Sequence, residues 1–97
     1  MKLKENSLLV YNYVKEHQAE NITADDIAEA LGLTSRQVNG IVTMAFQRHK
    51  DADKNEVPLM VRVSGDPYTD DKGKAKVPKY IHLTAEGEAI EVEAEEE

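Results

Sequence analysis

The sequence predicts an α+β fold, mostly α: three helices, two antiparallel strands and a short last helix. Three observations predict it. Apolar residues recur every three to four positions as far as about His49, and every two positions from Leu59 onward. Thr23 and Thr34 each stand three residues before a side chain able to close a capping box, with Gly32 between the two segments. Two short alternating runs flank a connection rich in Gly, Pro, Asp and Lys, which reads as a hairpin with a long tip. At 97 residues the chain suits one domain, expected to span residues 7–90, with residues 91–97 as an acidic flexible tail.

Each element has a local reason. Asn6 or Ser7 is the expected cap of a first helix running to about His17, with Leu9, Val10, Tyr13 and Val14 on its apolar face. Thr23 with Asp26 opens a second helix, whose buried stripe is Ile27, Ala28 and Leu31; Gly32 ends it in the left-handed conformation. Thr34 with Gln37 opens a third helix, expected over residues 34–49 and anchored by Val38, Ile41, Val42, Ala45 and Phe46. In the first strand, residues 59, 61 and 63 are expected to share one face, with Arg62 on the other. Residues 64–76 read as a long connection. Tyr80-Ile81-His82-Leu83 is the second strand, with Ile81 and Leu83 on one face, and Thr84 caps the last helix.

Composition excludes several chemistries. There is no cysteine, hence no disulfide framework, thiolate metal site or thiol nucleophile. No run approaches the ~20 apolar residues of a spanning helix, and no signal-peptide pattern opens the chain. A cytoplasmic protein with no membrane partner is the expectation. The net charge of −7 argues at first against nucleic acid. Divided by segment, it changes meaning. Bases and acids balance in residues 1–50 and again in 51–80, and the whole excess is the seven glutamates from Glu86 onward. The body is neutral, so its charges are open to arrangement as faces of either sign.

The sharpest motif is Ile27-Ala28-Glu29-Ala30-Leu31-Gly32-Leu33-Thr34-Ser35-Arg36-Gln37-Val38-Asn39-Gly40-Ile41. Two helices crossing at a short turn need a small residue where they approach, a turn glycine, and branched anchors beneath the second helix. Ala28, Gly32, Val38 and Ile41 meet those needs, as an ordinary helical hairpin would also do. The stretch resembles the helix-turn-helix of DNA-binding proteins. With the two-stranded hairpin and the closing Leu83-Thr84-Ala85-Glu86-Gly87 segment, residues 7–90 resemble a winged helix of the MarR-like transcriptional regulator type. The resemblance implies a third helix in the DNA major groove and a wing tip on phosphate or in the minor groove.

The residues themselves supply part of that reading. With its apolar side buried, the third helix leaves Ser35, Arg36, Gln37, Asn39, Gly40 and Thr43 outward, and no carboxylate lies between Thr34 and Lys50. Arg pairs with guanine edges, and Asn or Gln with adenine edges. Gly40 admits close approach to a backbone or to another helix. Lys72, Lys74 and Lys76 on the wing are candidate phosphate contacts, or solvated loop charges, with Asp66, Asp70 and Asp71 close by in sequence.

Other signals are discounted. Asp51-Ala52-Asp53-Lys54-Asn55-Glu56 begins like a calcium loop, but Glu56 stands where its glycine belongs and Arg62 where its last carboxylate belongs. His17, His49 and His82 lack ligand spacing, and no serine sits in a nucleophile elbow. The expectation is therefore a non-enzyme with no catalytic residues, cofactor or metal. It is a small sequence-specific regulator of transcription that binds double-stranded DNA, alone, as a homodimer or with a protein partner. The alternative is a winged-helix protein-interaction module whose acidic tail engages a basic partner or autoinhibits.

Overall fold

The computed structural model describes residues 2–94 and is a small α+β structure with four helices and a small antiparallel sheet. In chain order the elements are β1 (Lys2–Leu3), α1 (Glu5–Glu16), α2 (Ala24–Leu31) and α3 (Ser35–Ile41). The last of these continues without a break into a π-helical segment, Val42–Gln47. Then come β2 (Met60–Ser64), β3 (Tyr68–Thr69), β4 (Ala75–Lys76), β5 (Lys79–Leu83), α4 (Ala85–Ala89) and β6 (Glu93–Ala94).

The two capping boxes form as the spacing predicts. The Thr23 hydroxyl accepts from the Asp26 amide at 3.2 Å, and the Asp26 carboxylate accepts from the Thr23 amide at 3.0 Å. Thr34 and Gln37 repeat the exchange at 3.1 and 2.9 Å. Each box satisfies two amides that helix geometry leaves without partners. Gly32 sits at φ 70°, and its amide and that of Leu33 both donate to the Ala28 carbonyl, which closes α2. The first helix differs from expectation. It starts at Glu5 with Lys4 as its cap residue, without a side-chain cap bond, so Asn6 and Ser7 lie inside the first turn. The cause is tertiary: β1 pairs in parallel with β6, Leu3 is buried, and the chain enters the helix directly from that anchor. The ladder lies outside the expected 7–90 span and holds Glu93 and Ala94 of the acidic segment beside Lys2 and Leu3.

The core is apolar throughout. Val10, Val14, Ile27, Val38, Val42, Phe46, Met60 and Ile81 are fully buried or nearly so. Each such side chain contributes about 1.5–3 kcal/mol by leaving water. Tyr11 joins them with its ring 5.9 Å from that of Phe46 and its hydroxyl donating to the Gly87 carbonyl at 2.7 Å. Gly87 is the position where only glycine fits, since an added Cβ would lie 2.0 Å from the Leu59 carbonyl oxygen. Thr84 seats α4 there, accepting from the Gly87 amide and donating to the Pro58 carbonyl.

The hairpin pairs Met60 with Leu83, Arg62 with Ile81 and Ser64 with Lys79, antiparallel. This register reverses the expected face of β2. Residues directly opposite share a face, so Met60 and Arg62 go inward with Leu83 and Ile81. Val61 and Val63 are exposed opposite His82 and Tyr80. The residues read as a plain connection contain a second antiparallel ladder: Tyr68 pairs with Lys76 and Thr69 with Ala75. Pro67 and Pro78 interrupt the two ladders, since neither has an amide to donate. The tip turns at Asp70–Gly73, with Gly73 at φ 80°. The Asp70 carboxylate accepts from the amides of Lys72 and Lys74, both at 2.9 Å. The β5 edge also reaches the segment before α2, where the Ile81 amide donates to the Ile22 carbonyl at 2.9 Å. Among the described residues, no helix is long and apolar enough to cross a membrane.

Candidate nucleic-acid interface

The sequence pattern predicts one α-helix over residues 34–49. Its second half is instead π-helical, with the Arg48 amide donating to the Thr43 carbonyl, five residues back. The wider turn has a consequence for both faces. In an α-helix, positions four apart drift by about 40°, whereas wider turns offset that drift. Val38, Val42 and Phe46 thus stay on one buried line, and Asn39, Thr43 and Gln47 on a second, outer line. The Phe46 carbonyl accepts from the Leu59 amide at 2.9 Å, which brings the returning chain against the helix end.

Arg62 reads that outer line. From β2 its guanidinium donates to the Asn39 carbonyl at 3.1 Å, the Asn39 side-chain oxygen at 3.3 Å, the Thr43 hydroxyl at 3.1 Å, and the Gln47 side-chain oxygen. One arginine therefore braces three successive turns of the helix and fixes the hairpin beside it. A groove of about 440 Å³ between the start of α2 and the hairpin is lined by Thr23, Asp25, Asn39, Arg62, Tyr68 and Lys76.

Of the residues expected outward, Arg36, Gln37, Asn39 and Gly40 are exposed and Ser35 and Thr43 half-buried; Arg36, Gln37 and Gly40 line a larger groove with Lys4, Glu5 and Met44. An added Cβ at Gly40 would meet nothing within 4 Å, so this glycine opens the surface and packs against no helix. Gln37 spends its carbonyl oxygen on the capping box and keeps its amide hydrogens outward. Ser35 donates to the Asp25 carboxylate, so α2 delivers an acid to the helix start despite the acid-free stretch from Thr34 to Lys50. Asn39 and Thr43 are held by Arg62.

On the hairpin, Lys72, Lys74 and Lys76 are all exposed. Lys76 is paired with Asp70 at 3.3 Å; the side chains of Lys72 and Lys74 have no partner among the described residues. The amides of Lys74 and Lys72, with the Lys76 ammonium, hold the Asp70 carboxyl below the usual carboxylate range, the Lys74 amide most strongly. The residues absent from the expected site are Arg62, Met44, Gln47 and Arg48. Among the described residues no group of acids and histidines is arranged to hold a metal ion. Comparison with known proteins finds no matching family model, no similar curated protein and no similar solved structure.

Proposed function

We propose that this chain is a small sequence-specific regulator of transcription that binds double-stranded DNA through a winged helix-turn-helix of the MarR-like type. In this reading α3 and its π-helical continuation enter the major groove, and Lys72 and Lys74 at the hairpin tip meet phosphate. The observation that carries it is the brace: through Asn39, Thr43 and Gln47, Arg62 fixes a helix that exposes Arg36, Gln37, Gly40 and Arg48, and has no carboxylates of its own, beside a hairpin ending in exposed lysines. Rigid placement of the first contacting groups is what base readout requires. The neutral body supplies little nonspecific attraction, so affinity must come from these few contacts.

Titration of duplexes selected from a random pool, at several salt concentrations, tests the proposal. Affinity should fall with salt, by about 0.9 log units per tenfold salt for each phosphate neutralised. Arg36→Ala should cost about 1–3 kcal/mol if Arg36 pairs with a guanine. Binding indifferent to both salt and Arg36 would overturn it.

A second reading is a protein-interaction module. It draws on the exposed Val61 and Val63, with Tyr68 and Val77 farther along the same hairpin, and on the acidic segment as a contact for a basic partner. Loss of partner binding on removing residues 91–97, with DNA binding absent, would favour it.

A further inference from the structure

We infer that Met44 is a specificity-determining residue that packs on a thymine methyl in the major groove. The inference rests on the DNA reading above and names a base that this face would recognise. Met44 is 67 % exposed, more than any other large apolar residue described. A single exposed apolar side chain is ordinary; its surroundings here are not. Met44 lies one turn beyond Gly40 and two beyond Arg36, and all three line the same groove. Gly40 leaves open space beside it, so a base edge has room to approach the thioether. The Arg48 guanidinium lies 3.9 Å from the Met44 sulfur. Arg36 and Arg48 thus bracket the helix strip of Gly40 and Met44, which carries no acid of its own, while Glu5 lines the same groove and Asp25 meets the helix start at Ser35.

The neighbouring polar groups narrow the choice. Asn39, Thr43 and Gln47 are engaged by Arg62, which leaves Arg36, the Gln37 amide hydrogens and Met44, whose sulfur meets the Arg48 guanidinium, as the groups of this surface that no other element of the fold holds. A thioether forms no useful hydrogen bond with a base edge. Its complement in the major groove is the C5 methyl of thymine, the apolar feature that cytosine and the purines lack there. The flanking cations favour a polyanion over an apolar protein surface as the occupant.

The test uses the whole chain and a duplex selected by it from a random pool. Each thymine is replaced in turn by deoxyuridine, which removes the methyl and keeps the hydrogen-bonding edge. Affinity should fall about fourfold at one or two positions, the equivalent of unburying one methyl-sized group. The loss should vanish in Met44→Gln and persist in Met44→Leu; both substitutions lie on the surface and leave the core intact. Equal affinity for every deoxyuridine duplex overturns the inference while leaving the DNA reading standing, as does an undiminished loss in Met44→Gln. Failure to bind any duplex overturns the DNA reading and this inference with it.

Discussion

Replacing Arg62 with Met keeps the aliphatic stem and removes the guanidinium that ties β2 to the third helix. Arg62 makes four hydrogen bonds, three of them from one terminal nitrogen that has two hydrogens to give. The equivalent of about three simultaneous bonds is therefore lost. A bond to a charged group is worth about 1.5–3 kcal/mol where water is excluded. Asn39 is exposed and rehydrates freely, while Thr43 and Gln47 are half-buried, so the lower end applies and exposed bonds count for less. The net loss should be about 2 kcal/mol, because the freed side chains on the helix recover most of their hydration.

For a domain of this length that corresponds to a fall in Tm of about 8–16 °C. Denaturant unfolding monitored by circular dichroism measures it, with an unchanged m-value expected if the native compactness is kept. Arg62→Lys should recover little, since a point charge cannot span acceptors on three residues. A double-mutant cycle with Thr43→Val should show about 1 kcal/mol of coupling. Loss of less than about 0.5 kcal/mol in Arg62→Met, or no coupling to Thr43, would refute the brace, because substitutions away from structural contacts stay within that range.

Two further predictions concern titrating groups. Burial, and then the nearby Glu88 charge, raise the Tyr11 hydroxyl above its ordinary value of 10.0. The folded state therefore holds that proton more tightly than the unfolded chain. Stability from this group is complete below about pH 10 and is lost as pH rises through the raised value. Tyr11→Phe should flatten that alkaline decline and should cost about 1–2 kcal/mol at neutral pH, as the Gly87 carbonyl loses its donor; urea titrations at pH 7 and above pH 10 measure both. At the hairpin tip the sign is opposite. Asp70 is held below its usual range, so its contribution is present above the ordinary carboxylate value and is lost as pH falls through the lowered one. The amide resonances of Lys72 and Lys74 should shift together in that acid range, and Asp70→Ala should abolish the transition; amides that do not move would refute their bonds to the Asp70 carboxylate.

What was legible in the sequence divides along one line, the distance over which the deciding contact acts. Both capping boxes join residues three apart, and Gly32 answers to its own backbone angle, so these features stand in the local pattern. The face of β2 does not. Val61 and Val63 are β-branched and look like core, yet the pairing of Met60 with Leu83 sends them outward. The partners that make an inward Arg62 acceptable lie 15 to 23 positions earlier, on a different element. Strand propensity reports a fit to a half-buried sheet and cannot report which side another element covers. The same distance hides the engagement of the outward Asn39 and Thr43: their partner comes from outside the helix. Met44 left a local trace, since it is apolar and falls off the line of Val38, Val42 and Phe46.

The acidic segment takes on a different role once its start is located. Seven glutamates carry the entire net charge, five of them in residues 91–97, and β6 holds Glu93 and Ala94 beside β1, which leads directly into Lys4 on the wall of the groove with Arg36 and Met44. Under the DNA reading, this puts the charge of Glu93 near the approach to the contacting face. Nonspecific binding depends almost wholly on phosphate attraction and is lowered by every nearby acid, subject to screening over about 8 Å at physiological salt. Base contacts act at hydrogen-bond range, inside that distance, and lose less. The predicted effect is on the ratio: removing the acidic segment should strengthen binding to unrelated duplexes more than binding to the selected one, lowering specificity while raising affinity. Equal strengthening of both would mean that the segment is ordinary repulsion with no bearing on which sequence is chosen.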